Sequence, residues 1–174
     1  MDHLIPEGKA WTFQCTAFLE NSEETRYIQP EYHVPDEQRV KSSPYLVISA
    51  PGAVGKSSFG NHLKQAKNAM LWNLAKLRLG SNTFIGSVLQ AVGPSQLPEF
   101  LASIEAGNTT LVFDAIDEAE MHSGWSGVQD FLTEVIRYTP NARAASVIFL
   151  ARRDTAEMLD IALADLVPSV VRCN

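Results

Sequence analysis

The residues best suited to chemistry begin with the run Ala50-Pro51-Gly52-Ala53-Val54-Gly55-Lys56-Ser57-Ser58. It follows the pattern Gly-x-x-x-x-Gly-Lys-Ser/Thr at every position but the first, where Ala50 stands in place of glycine. A loop of this kind grips polyphosphate with backbone N–H groups. Gly52 and Gly55 supply backbone conformations that a Cβ would hinder, and the helix that follows adds the positive end of its dipole. Pro51, Ala53 and Val54 complete the wrap. Lys56 brings a compact positive charge to the β- and γ-phosphates, the Ser57 hydroxyl is a hard ligand suited to Mg²⁺, and Ser58 can donate toward the α-phosphate.

A second cluster is acidic: Leu111-Val112-Phe113-Asp114-Ala115-Ile116-Asp117-Glu118-Ala119-Glu120, an apolar run that breaks abruptly into carboxylates. A carboxylate at the end of a buried strand needs a charged partner, and a magnesium ion shared with Ser57 supplies one for Asp114. Asp117 or Glu118 then orients or deprotonates the attacking water, Glu118 being preferred. Asp117 and Glu120 also suit a solvated helix N-terminus, where carboxylates are favoured by the dipole. A third candidate, Arg152, follows the apolar run Ser146 to Ala151 and is placed to sense a γ-phosphate, with its neighbour Arg153 as competitor.

These residues need elements to carry them. Tyr45-Leu46-Val47-Ile48-Ser49 reads as a strand buried on both faces, and Phe59, Leu63 and Ala66 give the next segment a helical period. The rhythm repeats: a strand near 69–74, helices near 84–92 and 97–105, a strand at 109–113, a helix near 128–138, a strand at 146–151, a helix near 155–164 and a strand at 167–171. Strands alternating with helices predict an α/β fold, a five-stranded and mainly parallel sheet with helices on both faces. In such sheets ligands bind beyond the carboxyl ends of the strands, the end at which Ser57, Asp114 and Arg152 all emerge. Residues 1–44 read as an N-terminal extension and connector, extended between the prolines at 30, 35 and 44, with a helix weakly favoured near 11–19. Residues 45–174 form the core domain.

Composition narrows the classes. The chain is 45% hydrophobic and 20% charged, the balance of a folded globular domain, and its 174 residues suit one domain. A net charge of −6 gives no indication of nucleic acid as a partner. Cys15 and Cys173 have neither metal spacing nor a secreted framework around them, which points to reduced thiols in a cytoplasmic setting. No apolar run approaches the ~20 residues that span a bilayer, so no membrane is expected. His3, His33, His62 and His122 show no zinc spacing, and Trp11, Trp72 and Trp125 read as packing residues. Tyr27, Ile28 and Pro30 are positional candidates for an adenine pocket.

Guanine-reading signatures of the Asn-Lys-x-Asp and Asp-x-x-Gly types do not follow the phosphate loop, so adenine is the expected base. The segment Asp114 to Glu118, with a small residue directly after the first aspartate and two further acids, resembles the NACHT branch of the STAND NTPases. So does the arginine after a strand at 152; the likeness covers the stretch from Tyr45 to Arg152. In that family's terms the two clusters are Walker A and Walker B motifs. The resemblance implies a P-loop NTPase core of the ASCE type that binds ATP or ADP with Mg²⁺. It further implies a switch in signalling and antiviral defence, with self-association and protein partners in a longer parent. A helical lid, a winged-helix domain and a sensing region follow in such proteins. The sequence stops before all three, so weak binding and slow hydrolysis are expected of this chain. Three other readings share the motifs: an AAA+-like ATPase doing mechanical work, a non-catalytic P-loop scaffold, and a small-molecule phosphotransferase.

Overall fold

The computed structural model describes residues 2–11, 33–34, 36–143 and 145–174. Five strands form one sheet: β1 (Tyr45–Ser49), β2 (Met70–Asn73), β3 (Leu111–Asp114), β4 (Val147–Ala151) and β5 (Val170–Cys173). The helices are α1 (Glu37–Ser42), α2 (Lys56–Lys67), α3 (Thr83–Val92), α4 (Leu97–Glu105), α5 (Ile116–Tyr138) and α6 (Arg153–Ala164). The spatial order of the strands is β2-β3-β4-β1-β5, and every pairing is parallel. β4 therefore stands between β1 and β3, with Tyr45 and Leu111 both registered on Val147.

Period-two alternation along the strands divides their side chains between two cores. Val47, Trp72, Phe113 and Phe149 point into a larger core closed by α3, α4, α5 and α6. Leu46, Ile48, Leu71, Val112, Ile148 and Leu150 point into a smaller one closed by Phe59 and Leu63 of α2, Val40 of α1, and Leu4 and Ile5. Helices thus cover both faces, which is why the strands carry near-continuous apolar runs. Aromatic rings fill the larger core: Phe113 stacks on Phe149 at 5.4 Å between centroids and meets Trp72 edge-on at 5.4 Å. Among the described residues no helix is long and apolar enough to cross a membrane. Cys173 is a free thiol buried in β5, where desolvation pushes its pKa up to about 11.

Several boundaries differ from the sequence expectation. The segment 30–44 is not extended throughout: α1 forms within it because Asp36 caps its N-terminus, accepting from Gln38 N at 2.8 Å and Arg39 N at 3.2 Å, and because Val40 is buried. The extension also contributes to the fold, since Leu4 and Ile5 are core residues and Gly8 N donates to Lys67 O at 2.7 Å. β5 starts at Val170 and not at 167, because the Val167 N–H closes the end of α6 by donating to Leu163 O at 2.8 Å. The helix proposed near 11–19, and Tyr27, Ile28, Pro30 and Cys15, lie outside the described residues except for Trp11.

The largest difference is α5, expected near Val128 but starting at Ile116. It runs through the glycine- and serine-rich stretch 123–127 with a break at Gly124 (φ 69°, ψ 164°). The loop after β2 explains Gly127. Ser123 Oγ accepts the Leu79 N–H at 2.7 Å, and a Cβ on Gly127 would lie 2.7 Å from the Leu79 carbonyl oxygen. Gly127→Ala should therefore cost about 1–3 kcal/mol of stability. Gly86→Ala, in an exposed turn of α3 with open space around it, should be neutral or stabilising by up to about 1 kcal/mol. Chemical denaturation of both variants checks the contrast, and equal midpoints would remove the close approach as the reason for Gly127.

Candidate functional site

At the carboxyl ends of β1, β3 and β4 lies a cleft of about 340 Å³, within the ~300–1,000 Å³ usual for small-molecule sites. Three chain segments line it. The loop after β1 contributes Gly52, Ala53, Gly55, Lys56, Ser57 and Ser58; the turn after β3 contributes Asp114, Ala115, Asp117 and Glu118; the turn after β4 contributes Arg152. Of the residues expected here from sequence, Pro51 and Val54 do not line the cleft. Val54 is exposed, and Pro51 serves through its backbone carbonyl.

The loop turns from strand to helix through left-handed backbone at Ala53 (φ 61°) and Gly55 (φ 91°). Glycine occupies the second at no steric cost, whereas Ala53 is held in a conformation that L-residues seldom adopt. Gly55 caps α2 without a side-chain hydrogen bond, and the first turn of α2 has no acid. The positive end of this helix therefore meets the cleft with no internal counter-charge. Lys56 Nζ donates to Ala50 O at 3.1 Å and Pro51 O at 2.9 Å, bridging the base of its own loop. These are bonds to neutral carbonyls near the surface, and an anionic oxygen forms a stronger one.

Asp114 is the point at which the loop and the acidic strand end meet. The residue is only 6% exposed, shares the cleft with Ser57, and accepts the Ala115 N–H at Oδ1 at 2.8 Å. Ala115 (φ 60°, ψ 36°) is left-handed, which starts α5 directly after the strand and keeps Asp117 and Glu118 at the same rim. Burial raises the Asp114 pKa above its ordinary value of 3.8, and the negative charge of Glu118 adds to the rise. The bonds from Ser57 and Ala115 and the charge of Lys56 oppose it without cancelling it.

The sign of the linkage follows. Folded chains bind more protons than unfolded ones between 3.8 and the raised folded value, so stability falls as pH climbs through that window, and above it the ionised Asp114 carries an unreturned desolvation cost. Asp114→Asn should therefore melt higher than the parent at neutral pH without added Mg²⁺ or nucleotide, on a scale of about 2–4 °C per kcal/mol. The gain should shrink as the pH is lowered from neutral through the raised folded value toward 3.8. Melting curves across that range test it, and a variant that melts lower throughout would show that Asp114 stabilises the fold.

The other acids differ sharply in surroundings. Asp117 is 11% exposed; its Oδ1 accepts the Arg152 backbone N–H at 2.9 Å and its Oδ2 lies 3.5 Å from Arg152 Nε. Glu118 is 41% exposed, with Oε1 3.4 Å from Arg152 Nη2. Arg152 faces the cleft, while Arg153 is the exposed first residue of α6 and does not line it. Sequence reasoning missed the carbonyl of Ala50 as a partner for Lys56. It also missed the left-handed turn at Ala115, to which only the small side chain beside Asp114 pointed.

The donor set fits a divalent cation held jointly with phosphate. Ser57 and Asp114 offer hard oxygens side by side. Among the described residues, no three His, Cys, Asp or Glu side chains gather to hold a metal without help. Compared with known families and with curated proteins, the chain matches no family model and no curated sequence.

Proposed function

We propose that this domain binds a nucleoside triphosphate with Mg²⁺, ATP by preference, and hydrolyses it slowly. The observation that carries the reading is the meeting of Ser57 and the buried Asp114 carboxylate in one cleft, which joins two strand tips distant in sequence at one site. The ASCE name describes a strand inserted between the phosphate-loop strand and the acidic strand, with a glutamate after the acid. β4 between β1 and β3, and Glu118 four residues beyond Asp114, support that reading.

Each residue has a task that its surroundings support. The α2 N-terminus and the loop amides take the phosphates, and Lys56 exchanges two carbonyl partners for β- and γ-phosphate oxygens. Ser57 and Asp114 would hold the cation, which would supply neutralisation of the charge developing on the phosphates. Glu118, the more exposed acid of the cleft, accepts the proton of the attacking water as the bond from the γ-phosphorus to the leaving ADP oxygen breaks. Arg152 offsets charge on the γ-phosphate. By resemblance to NACHT domains, the proposal extends to a switch role in a signalling or defence protein, with self-association and protein partners in its parent.

Calorimetric titration with Mg-ATP, with ATP plus chelator, and with Mg-GTP tests the binding claim. Saturable, Mg²⁺-dependent heat for ATP with weaker GTP binding is expected. Absence of binding by every nucleotide at millimolar concentration would end the proposal.

A further inference from the structure

Asp117 belongs to the candidate site, yet its contacts suit it poorly to proton transfer. Both carboxylate oxygens face Arg152, one receiving its backbone N–H and the other lying beside its Nε, and the side chain is nearly buried. The sheet explains why. β3 pairs with β4 up to Phe113 and Phe149 and then turns off through the left-handed Ala115, whereas β4 continues to Ala151. The Arg152 N–H thus emerges beyond the last β3 carbonyl able to receive it, and an edge donor at that point needs a substitute acceptor. Asp117, in the first turn of α5, provides it. One side chain thereby fastens the turn after β3 to the turn after β4 across the mouth of the cleft, and it aims the guanidinium at the side where Glu118 stands.

We propose that Asp117 is a positioning residue that holds Arg152 over the cleft through its backbone N–H and guanidinium, leaving proton transfer to Glu118. This rests on the nucleotide-hydrolysis reading above. A bidentate contact to one turn fixes both the path of the chain and the direction of the side chain, and displacing a charged group by about 1 Å is enough to cost about 100-fold in rate. Asp117 therefore sets the turnover number and leaves nucleotide affinity nearly unaffected, since its hydrogen bond and ion pair go to Arg152.

The test compares Asp117→Ala, Asp117→Asn, Arg152→Ala and the double variant Asp117→Ala/Arg152→Ala in Mg-ATP binding and in hydrolysis. Amide hydrogen exchange at Arg152 is followed in parallel without nucleotide. Asp117→Ala should lower kcat by about 10- to 100-fold with affinity within about 3-fold. Asp117→Asn, which keeps an acceptor for the N–H, should recover at least about 5-fold of that loss. The double variant should be no slower than Arg152→Ala, because the two side chains act as a unit. The Arg152 amide should be protected in the parent and in Asp117→Asn and unprotected in Asp117→Ala. Additive losses in the double variant, with Asp117→Asn as slow as Asp117→Ala, would make Asp117 a proton acceptor acting on its own and overturn the proposal. An unprotected Arg152 amide in a chain that binds Mg-ATP overturns the positioning role alone. A protected amide in a chain that binds no nucleotide overturns the hydrolysis reading and the catalytic part of this proposal with it.

Discussion

Lys56→Ala should abolish measurable Mg-ATP binding while leaving the fold intact. The ammonium is the cation nearest the phosphate loop, and the α2 N-terminus beside it has no acid in its first turn to compete for it. Truncating one partner of a hydrogen-bonded charge pair costs about 2–5 kcal/mol, or roughly 30- to 4,000-fold in affinity. Any such loss added to the weak binding expected of this chain puts the variant beyond calorimetric detection. Stability should hardly change, since Lys56 bonds only to the Ala50 and Pro51 carbonyls and is partly exposed. Lys56→Arg should not restore binding, because a planar fork does not replace a compact point charge in a loop this tight. Titration and melting curves of the same preparations separate the outcomes. Unchanged heats in a folded Lys56→Ala protein would refute the phosphate-loop assignment.

Glu118→Gln should keep Mg-ATP affinity within about 3-fold and lose about 10²- to 10⁴-fold in turnover, the usual contribution of a positioned general base. Glutamine preserves size and the contact with Arg152 Nη2 while removing the ability to take a proton. Removing the charge also relieves Asp114 of a like charge that raises its pKa, so cation binding should not suffer. Steady-state phosphate release measures the effect. A normal rate in this variant would take Glu118 out of the reaction, and the next acid along the turn, Asp117, could replace it only by giving up its bonds to Arg152.

Much of the architecture could be read from the chain because its signals are local. The run Tyr45 to Ile48 is apolar and β1 is buried at every position, the glycines and lysine follow within seven residues of Ser49, and the structure turns from β1 to α2 at that point. Asp114 ends an apolar run, and it ends β3. Where several side chains of one type crowd together, local signals failed. The sequence favoured Glu118 over Asp117 and Arg152 over Arg153 only narrowly, because each pair follows the same strand end. Tertiary contacts separate them: Asp117 takes both the backbone N–H and the Nε of Arg152, Glu118 stays more exposed beside Nη2, and Arg152 but not Arg153 lines the cleft. The first three turns of α5 were illegible for a different reason. Gly124 and Gly127 weaken any helical reading; the backbone of Leu79, remote in sequence, approaches Gly127 closely and donates its N–H to Ser123.

Sequence alone determined the alternation of strands and helices, the phosphate-loop pattern and the carboxylate at a strand end, because each depends on periodicity and backbone preference within a dozen or so residues. Tertiary structure alone decided that β4 lies between β1 and β3, that Ser57 reaches Asp114, and that Asp117 is occupied by Arg152 while Glu118 stays more exposed. Strand order in a parallel sheet is chosen by crossovers that span tens of residues, and it is this order that brings the three turns to one rim.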